Sequence, residues 1–200
     1  WAKKIDLTTG RPVFAEEGAY FNRPNEHVEV WPGMVGAHNW HAMSFSPVTG
    51  LTYITSNELP SIFEAVGGAW GVRADLQGYP DGEIPAVTGV LQAWDPLAGK
   101  ARWSVPLALP YNGGVLSTAG NLVFMGTAAG DFSAYAADSG QPLWSFKTGT
   151  AIQSAPVTFS HDGEQYVVIP AGFGGGTRLY STSLSATADA RGPSRLLAYK

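Results

Sequence analysis

The sequence predicts an all-β protein built from repeated four-stranded units, and three observations support that prediction. Helical periodicity is weak, and short runs rich in β-forming residues recur between Gly, Asn, Asp and Pro. The 25 glycines and 14 prolines in 200 residues indicate frequent turns. Only 14% of the residues are charged, whereas aromatic residues make up 12%. The chain therefore has a large aromatic area to bury and few charges to solvate.

Three β-hairpins are predicted in order along the chain. Each joins two short β-rich runs across a turn that contains Gly, Asn or Asp, the residues that tolerate a positive φ. The paired runs are 43–45 with 51–55 across PVTG, 115–117 with 122–126 across TAGN, and 157–159 with 165–169 across HDGE.

A third strand of similar composition follows each hairpin, and the first two continue through a turn into a fourth strand. The third strands are 89–95, 131–137 and 195–200. The fourth strands end on Trp103 and Trp144, which lie 41 residues apart. Each Trp follows an Ala and a Gly at the same spacing, as Ala93, Gly99, Trp103 and as Ala134, Gly140, Trp144, with a weaker copy at 4–14 that holds Gly10 and Phe14.

This repeat has a direct physical meaning. Ala leaves room for a neighbouring sheet, Gly closes a tight turn, and Trp brings ~150–250 Å² of ring to the seam between sheets. A period of ~40–45 residues is typical of the four-stranded blades of a β-propeller. The sequence therefore predicts a partial propeller that forms one segment over 1–200, with a blade tail at 1–14 and blades at about 43–105, 115–146 and 155–200.

About three blades do not close a ring, because propellers close with ~4–8 of them. We therefore expect the chain to be part of a larger ring, and its start at Trp1 instead of Met indicates a processed product or a piece of a longer chain. Segments 15–42, 56–88 and 171–194 are predicted as long irregular connections. The first and third are rich in Gly and aromatic residues, so we expect them to carry function.

Composition excludes several classes of function. The formal net charge is −4, which leaves no basic stripe for nucleic acid. The absence of Cys excludes disulfides, thiolate metal sites and a CxxCH haem attachment within these residues. No apolar stretch approaches the ~20 residues of a membrane helix.

Two segments could carry chemistry. His38 and His41 of HNWH are three residues apart, but strand geometry points them in different directions, which argues against a shared metal ion. The run AGFGGGT at 171–177 lacks the third Gly and the following helix of a dinucleotide fingerprint. Its glycines either allow the main chain to approach a flat ligand or form a permissive bend, and the two interpretations are evenly weighted.

Four stretches together resemble one known family. They are GAHNWHAMSFSPVTGLTYI, LQAWDPLAGKARWSVP, the run from YNGGVLSTAG to GQPLW, and APVTFSHDGEQYVVIPAGFGGG, found at 36–54, 91–106, 111–144 and 155–176. They are similar to the C-terminal part of the pyrroloquinoline-quinone-dependent alcohol dehydrogenases, which are eight-bladed propellers with tryptophan-docking repeats. The resemblance implies a planar quinone, PQQ, held at the axis of the ring.

The resemblance also implies cofactor-binding residues. They are Asn39 and Trp40 of HNW, Asn112 and Gly113 of YNGG, and Gly175 and Gly176 of the glycine-rich loop. The family's adjacent cysteines, calcium ligands and general base are expected upstream of Trp1, so we predict neither a catalytic residue nor a metal ligand in this segment. A haem domain is also not expected here.

For the intact protein, the resemblance implies a periplasmic enzyme that oxidises alcohols to aldehydes with PQQ and Ca²⁺ and passes electrons to cytochrome c or a quinone. Its partners are then the rest of the propeller, the alcohol and the electron acceptor, and this segment alone is expected to be inactive. Two alternatives stay open: a non-enzymatic propeller scaffold, and a degenerate dehydrogenase without cofactor. HNWH and GFGGG argue against a scaffold, and the residues upstream of Trp1 would decide.

Overall fold

We describe the protein from a computed structural model, which defines residues 2–65, 72–75, 86–174 and 191–200. The fold is all-β, as predicted, and its sheets are antiparallel. The chain forms two compact units: Trp1–Ala37 with Glu58–Val87, and His38–Asn57 with Thr88–Lys200. Within the part of the chain defined above, no helix has the length and apolar character needed to cross a membrane.

The first unit holds a two-stranded and a three-stranded sheet. Strand β1 (Ala2–Asp6) pairs with β2 (Arg11–Phe14) across the turn that contains Gly10. Strand β3 (His27–Val30) pairs with β6 (Ser61–Ala65), which also pairs with β7 (Val72–Asp75). Segments 15–42 and 56–88, predicted as irregular connections, therefore contribute a sheet of their own. That prediction was wrong because β3 and β6 lie far apart in sequence and no short turn marks their pairing.

The second unit contains the predicted hairpins and the strands that follow them. Its first sheet has the order β4-β5-β8-β9, its second β10-β11-β12-β13 and its third β14-β15-β16. The bounds are β4 Ser44–Ser46, β5 Leu51–Glu58, β8 Thr88–Asp95, β9 Lys100–Leu107, β10 Val115–Ser117, β11 Leu122–Gly126, β12 Asp131–Ala136, β13 Pro142–Lys147, β14 Val157–His161, β15 Glu164–Ala171 and β16 Arg195–Tyr199.

Alternation along these strands explains why they form sheets with buried faces. In β5 and in β8, every second residue is buried, as expected when successive side chains point to opposite faces. The first and second sheets share one apolar core, and its largest fully buried members include Tyr53, Leu91 and Met125. The second and third sheets share another core, formed around Phe132, Ile152 and Ile169.

Trp103 joins the first sheet to the second. Its Nε1 donates to the carbonyl oxygen of Ala137 at 3.0 Å, and the hydroxyl of Tyr53 donates to the same oxygen at 2.9 Å. The Trp103 ring lies on Gly140, where a Cβ atom would come within 2.7 Å of Cε3. Gly140 also has a φ of +73°, so it both closes the β12–β13 turn and accepts the ring. The predicted sealing role of the Gly and Trp repeat is thereby confirmed at this seam.

The second docking residue, Trp144, lies on the seam to the third sheet. Its ring meets the ring of Tyr199 edge-on with centroids 5.1 Å apart, and it meets Phe132 at 5.9 Å. Trp144 is nevertheless 41% exposed. The third sheet has three strands among the described residues, and within those residues no glycine contacts Trp144 in the way that Gly140 contacts Trp103.

Candidate functional site

The connections between strands gather at one end of the second unit. Consecutive turns of an antiparallel sheet lie at alternate ends, so the turns β4–β5, β8–β9, β10–β11, β12–β13 and β14–β15 lie at one end of their sheets. The segments that enter β4, β10 and β14 lie at the other end, which we call the loop end. Two backbone hydrogen bonds hold the loop end together: Val115 N–H to Ala42 O at 2.9 Å, and Ile152 N–H to Thr127 O of the β11–β12 turn at 2.9 Å. HNWH, YNGG and residues 172–174 of the glycine-rich run, distant in sequence, all lie at the loop end.

The HNWH segment is held by its two histidines. Nδ1 of His38 donates to the carbonyl oxygen of Thr55 at 2.7 Å, and a carbonyl can only accept, so Nδ1 carries the proton. His41 is 6% exposed, and its ring stacks on Trp40 with centroids 5.1 Å apart and an interplanar angle of 26°. Burial, with a smaller effect from His38, lowers the pKa of His41 to about 4. His41 is therefore neutral near pH 7.

A hollow of about 680 Å³ opens at the loop end. Its walls include Trp40, Gln153, Phe173, Gly174 and Arg195. Trp40 is 53% exposed, and Phe173 adds a second aromatic side chain. The hollow is thus lined by aromatic residues together with a glutamine and an arginine, and sites for small molecules typically combine apolar walls with a few polar groups.

The segment that enters β14 is fixed beside this hollow. Ala151 O accepts from the N–H of Gly172 at 2.7 Å, and the hydroxyl of Ser154 donates to Pro170 O at 2.5 Å. Gln153 lies between these two attachments. Its Nε2 is buried and has no hydrogen-bond acceptor among the residues defined in the structure.

The predicted pair Asn39 and Trp40 lies at the loop end, where Trp40 forms part of the hollow and Asn39 is exposed. Gly175 and Gly176, the predicted contacts of the glycine-rich loop, lie outside the described residues. Their neighbour Gly174 lines the hollow that Trp40 also lines. The sequence reasoning thus led to two segments that share one hollow, while the contacts of these four residues with a cofactor stay a prediction.

Asn112 and Gly113 make internal contacts of the protein in the same region. The side chain of Asn112 is 2% exposed; its Nδ2 donates to Leu109 O at 2.5 Å and its Oδ1 accepts from the N–H of Ala128 at 3.0 Å. At Gly113, a Cβ atom would come within 2.4 Å of Ser154 O. These contacts fix the conformation of the main chain at the loop end. A direct contact of Asn112 or Gly113 with a cofactor stays a prediction.

Sequence reasoning missed Gln153, Phe173 and Arg195 as lining residues. The signal for Gln153 was a single amide in the small, mostly apolar run AIQSAP, and nothing in that run indicates a ligand. No group of three or more His, Cys, Asp or Glu side chains that could hold a metal ion is found among the residues that the structure describes.

Comparisons with known proteins show which proteins this chain is similar to. A protein-family profile described as PQQ glucose/ethanol/alcohol dehydrogenase, beta-propeller domain, matches residues 88–167. The chain is 46% identical to quinohemoprotein alcohol dehydrogenase ADH IIB of Pseudomonas putida, an alignment that covers 100% of this chain and 29% of that protein. It is 42% identical to a lupanine 17-hydroxylase [cytochrome c] of a Pseudomonas species, with the same two coverages.

Solved structures show the same similarity. Quinohemoprotein alcohol dehydrogenase ADHIIG from Pseudomonas putida HK5 superposes with a TM-score of 0.91 at 39% identity, over 100% of this chain and 31% of that one. The quinohemoprotein alcohol dehydrogenase of Comamonas testosteroni gives a TM-score of 0.79 at 34% identity, over 99% and 30%. The chain spans less than a third of the length of these relatives.

Proposed function

Because the chain belongs to the family of quinoprotein alcohol dehydrogenases, we propose that it supplies one wall of the cofactor pocket in an enzyme that oxidises alcohols to aldehydes. The observation that carries the proposal is the hollow at the loop end, where Trp40 and Gly174 meet. Two segments of the family pattern, distant in sequence, thereby face one space that suits a flat ligand.

The residues present fit pyrroloquinoline quinone, a planar group with three carboxylates and two quinone oxygens. The hollow measures about 680 Å³, within the ~300–1,000 Å³ of typical ligand sites. Trp40 and Phe173 offer aromatic surface, and no described heavy atom lies within 4 Å of the place that a Cβ on Gly174 would take. The Arg195 guanidinium suits a carboxylate, and the buried Gln153 amide suits any oxygen acceptor.

Within such a pocket, the residues of this chain bind and orient the cofactor. The chemistry that the quinone supplies when bound is the two-electron oxidation of the alcohol. Trp40 covers an apolar face of the cofactor and excludes water from it. The neutral ring of His41 stacks on the Trp40 ring, with the two centroids 5.1 Å apart. His38 fixes the same segment through its bond to Thr55 O.

The remaining parts of the active site are proposed to lie elsewhere in the intact protein. The family resemblance supports Ca²⁺ and a general base contributed from upstream of Trp1, a periplasmic location, and cytochrome c or a quinone as electron acceptor. It also supports blade limits near 43–105, 115–146 and 155–200, with a blade tail at 1–14. The short coverage of the relatives, 29% of ADH IIB, supports the proposal that this chain alone is inactive.

The test uses the complete protein that contains this chain, loaded with the quinone and Ca²⁺. We expect primary alcohols to reduce a dye, and Trp40→Ala to weaken binding of the quinone about tenfold or more, because an exposed indole wall of the hollow is removed. Quinone affinity is measured by quenching of tryptophan fluorescence.

Trp94→Ala is the matched control. Trp94 is 39% exposed and lies in β8 next to the opposite, turn end of its sheet, so its loss should leave quinone affinity unchanged. Equal affinities of the two variants, or a loaded wild type that reduces no dye with any alcohol, would contradict the proposal. The latter result would favour the non-enzymatic scaffold.

A further inference from the structure

We propose that Gln153 is a ligand-binding residue whose side-chain amide donates a hydrogen bond to an oxygen of the quinone. This inference rests on the proposed function, since it concerns the same hollow. It assigns a specific polar contact to a residue outside the motifs that resemble the family.

The first argument is the state of the Gln153 amide. Its Nε2 is buried, yet no acceptor among the described residues receives its protons. A buried donor without an acceptor has lost its hydrogen bonds to water and gained none in return, which destabilises the fold. Folded proteins rarely retain such a group unless something outside the protein chain completes the bond.

The second argument is that its neighbours are satisfied. Ile152 N–H donates to Thr127 O at 2.9 Å, and Ser154 Oγ donates to Pro170 O at 2.5 Å. Gln153 lies between them with an Nε2 that has no acceptor among the described residues, and Gln153, like Ser154, lines the hollow. The unused donor therefore belongs to a residue that lines the space proposed for the ligand, and a turn of the side chain about its own bonds would bring the amide into that space.

The third argument is rigidity. The hydrogen bonds of residues 151, 152 and 154 fix the backbone on both sides of Gln153. A donor on a fixed segment loses little freedom when a ligand binds, so its bond contributes to affinity with little ordering cost. Arg195 lies on the same hollow and adds a cation. An amide beside a guanidinium suits a ligand that carries both carbonyl and carboxylate oxygens.

The experiment replaces the amide without changing its bulk. In the complete apo-dehydrogenase, Gln153→Met retains the length of the side chain and removes the donor. We expect the dissociation constant for the quinone to rise about tenfold, as expected for one hydrogen bond to a charged or polarised oxygen. The thermal midpoint of the apo-protein should stay equal or rise, because an unsatisfied buried group has been removed.

Gln153→Glu and Gln141→Met complete the set. The glutamate should weaken quinone binding more than methionine does, because it sets a negative charge against carboxylates. Gln141 is exposed in the β12–β13 turn, so Gln141→Met should leave both readouts unchanged. Should Gln153→Met fail to fold, Gln153→Leu serves the same comparison.

The outcomes separate the two proposals. Wild-type protein that binds the quinone, together with a Gln153→Met variant that binds it equally well, overturns the role of Gln153 and leaves the proposed function intact. A clear fall in the thermal midpoint of the apo-variant also overturns it, because the amide then has an internal partner. A wild type that does not bind the quinone overturns both.

Discussion

His41 is a buried residue that stacks on an exposed residue of the hollow. It is buried at 6% exposure while its stacking partner Trp40 is 53% exposed on the hollow. A charged imidazolium at this place would have to give up its hydration, so the folded protein favours the neutral ring. The stability that the neutral, stacked His41 ring gives to the folded protein should therefore depend on pH.

The sign of that dependence follows from the pKa of His41, which falls from its usual 6.5 to about 4 on folding. His41 then binds a proton more readily in the unfolded chain than in the folded protein. Its contribution to the free energy of unfolding is therefore complete above pH 6.5 and is lost as the pH falls from 6.5 towards 4. Thermal midpoints measured between pH 8 and pH 4, each against its own value at pH 8, should fall less for His41→Asn than for wild type.

His161→Asn is the control for this series, because the His161 side chain is 71% exposed. Its pH profile should follow that of the wild type. If His41→Asn also followed the wild-type profile, the neutral buried state of His41 would contribute nothing to the acid sensitivity of the protein.

Residue-scale prediction from sequence succeeded where a segment pattern was enough. HNW pointed to Trp40, and the structure places Trp40 on a hollow shared with the end of the glycine-rich loop. Gln153 could not be found in this way, because its importance depends on the lack of an acceptor in three dimensions. Asn112 illustrates the converse, since its two internal hydrogen bonds are invisible in the run YNGG.

At the scale of the element, the β12–β13 turn does more than reverse the chain. The turns that end at Gly99 and at Gly140 share a positive φ and the same hydrogen bond, from the glycine N–H to the carbonyl four residues earlier. Only Gly140 meets a ring, that of Trp103, whereas no heavy atom lies within 4 Å of a Cβ placed on Gly99.

The pair allows backbone strain to be separated from docking. Gly99→Ala should lower the free energy of unfolding by about 1–2 kcal/mol, the cost of the left-handed conformation. Gly140→Ala should cost about 1–3 kcal/mol more, because its Cβ also displaces the Trp103 ring. Urea unfolding of both variants measures the difference. Equal losses would show that the contact with Trp103 contributes nothing to stability.

Elements with local signals were the ones that the sequence predicted well. Each predicted hairpin has a turn of a few residues with a Gly, Asn or Asp, and β10 and β11 have the predicted bounds. The sheet β3-β6-β7 was missed because its central pairing joins His27–Val30 to Ser61–Ala65 without a connecting turn. Non-local pairing of short strands leaves no periodic trace in the sequence.

At the scale of the whole molecule, burial differs between inner and outer strands. Strand β12 is buried over most of its length, since its sheet has a neighbouring sheet on each face. All of β14 is exposed, including Val157 at 55% and Phe159 at 49%. The chain also spans less than a third of its relatives. Both facts agree with the proposal that it works inside a larger ring.

The proposal predicts that the isolated 200-residue chain, given the quinone and Ca²⁺, reduces no dye with primary alcohols. The physical reason is that one wall of a pocket cannot surround a planar ligand or supply the proposed general base. The complete protein, assayed alongside, provides the positive control, and circular dichroism verifies that the isolated chain is folded. Turnover by the folded isolated chain would refute the proposal that the general base and the rest of the pocket lie outside these 200 residues.

The carbonyl oxygen of Ala137 accepts hydrogen bonds from both Tyr53 and Trp103, so this seam should keep one hydrogen bond when either donor is replaced. Its acceptor belongs to the main chain, so replacing the side chain at position 137 does not delete it. Each donor, in turn, comes from a different strand, β5 or β9. A substitution that removes one of the two donors would therefore leave the hydrogen bond of the other between the first and second sheets.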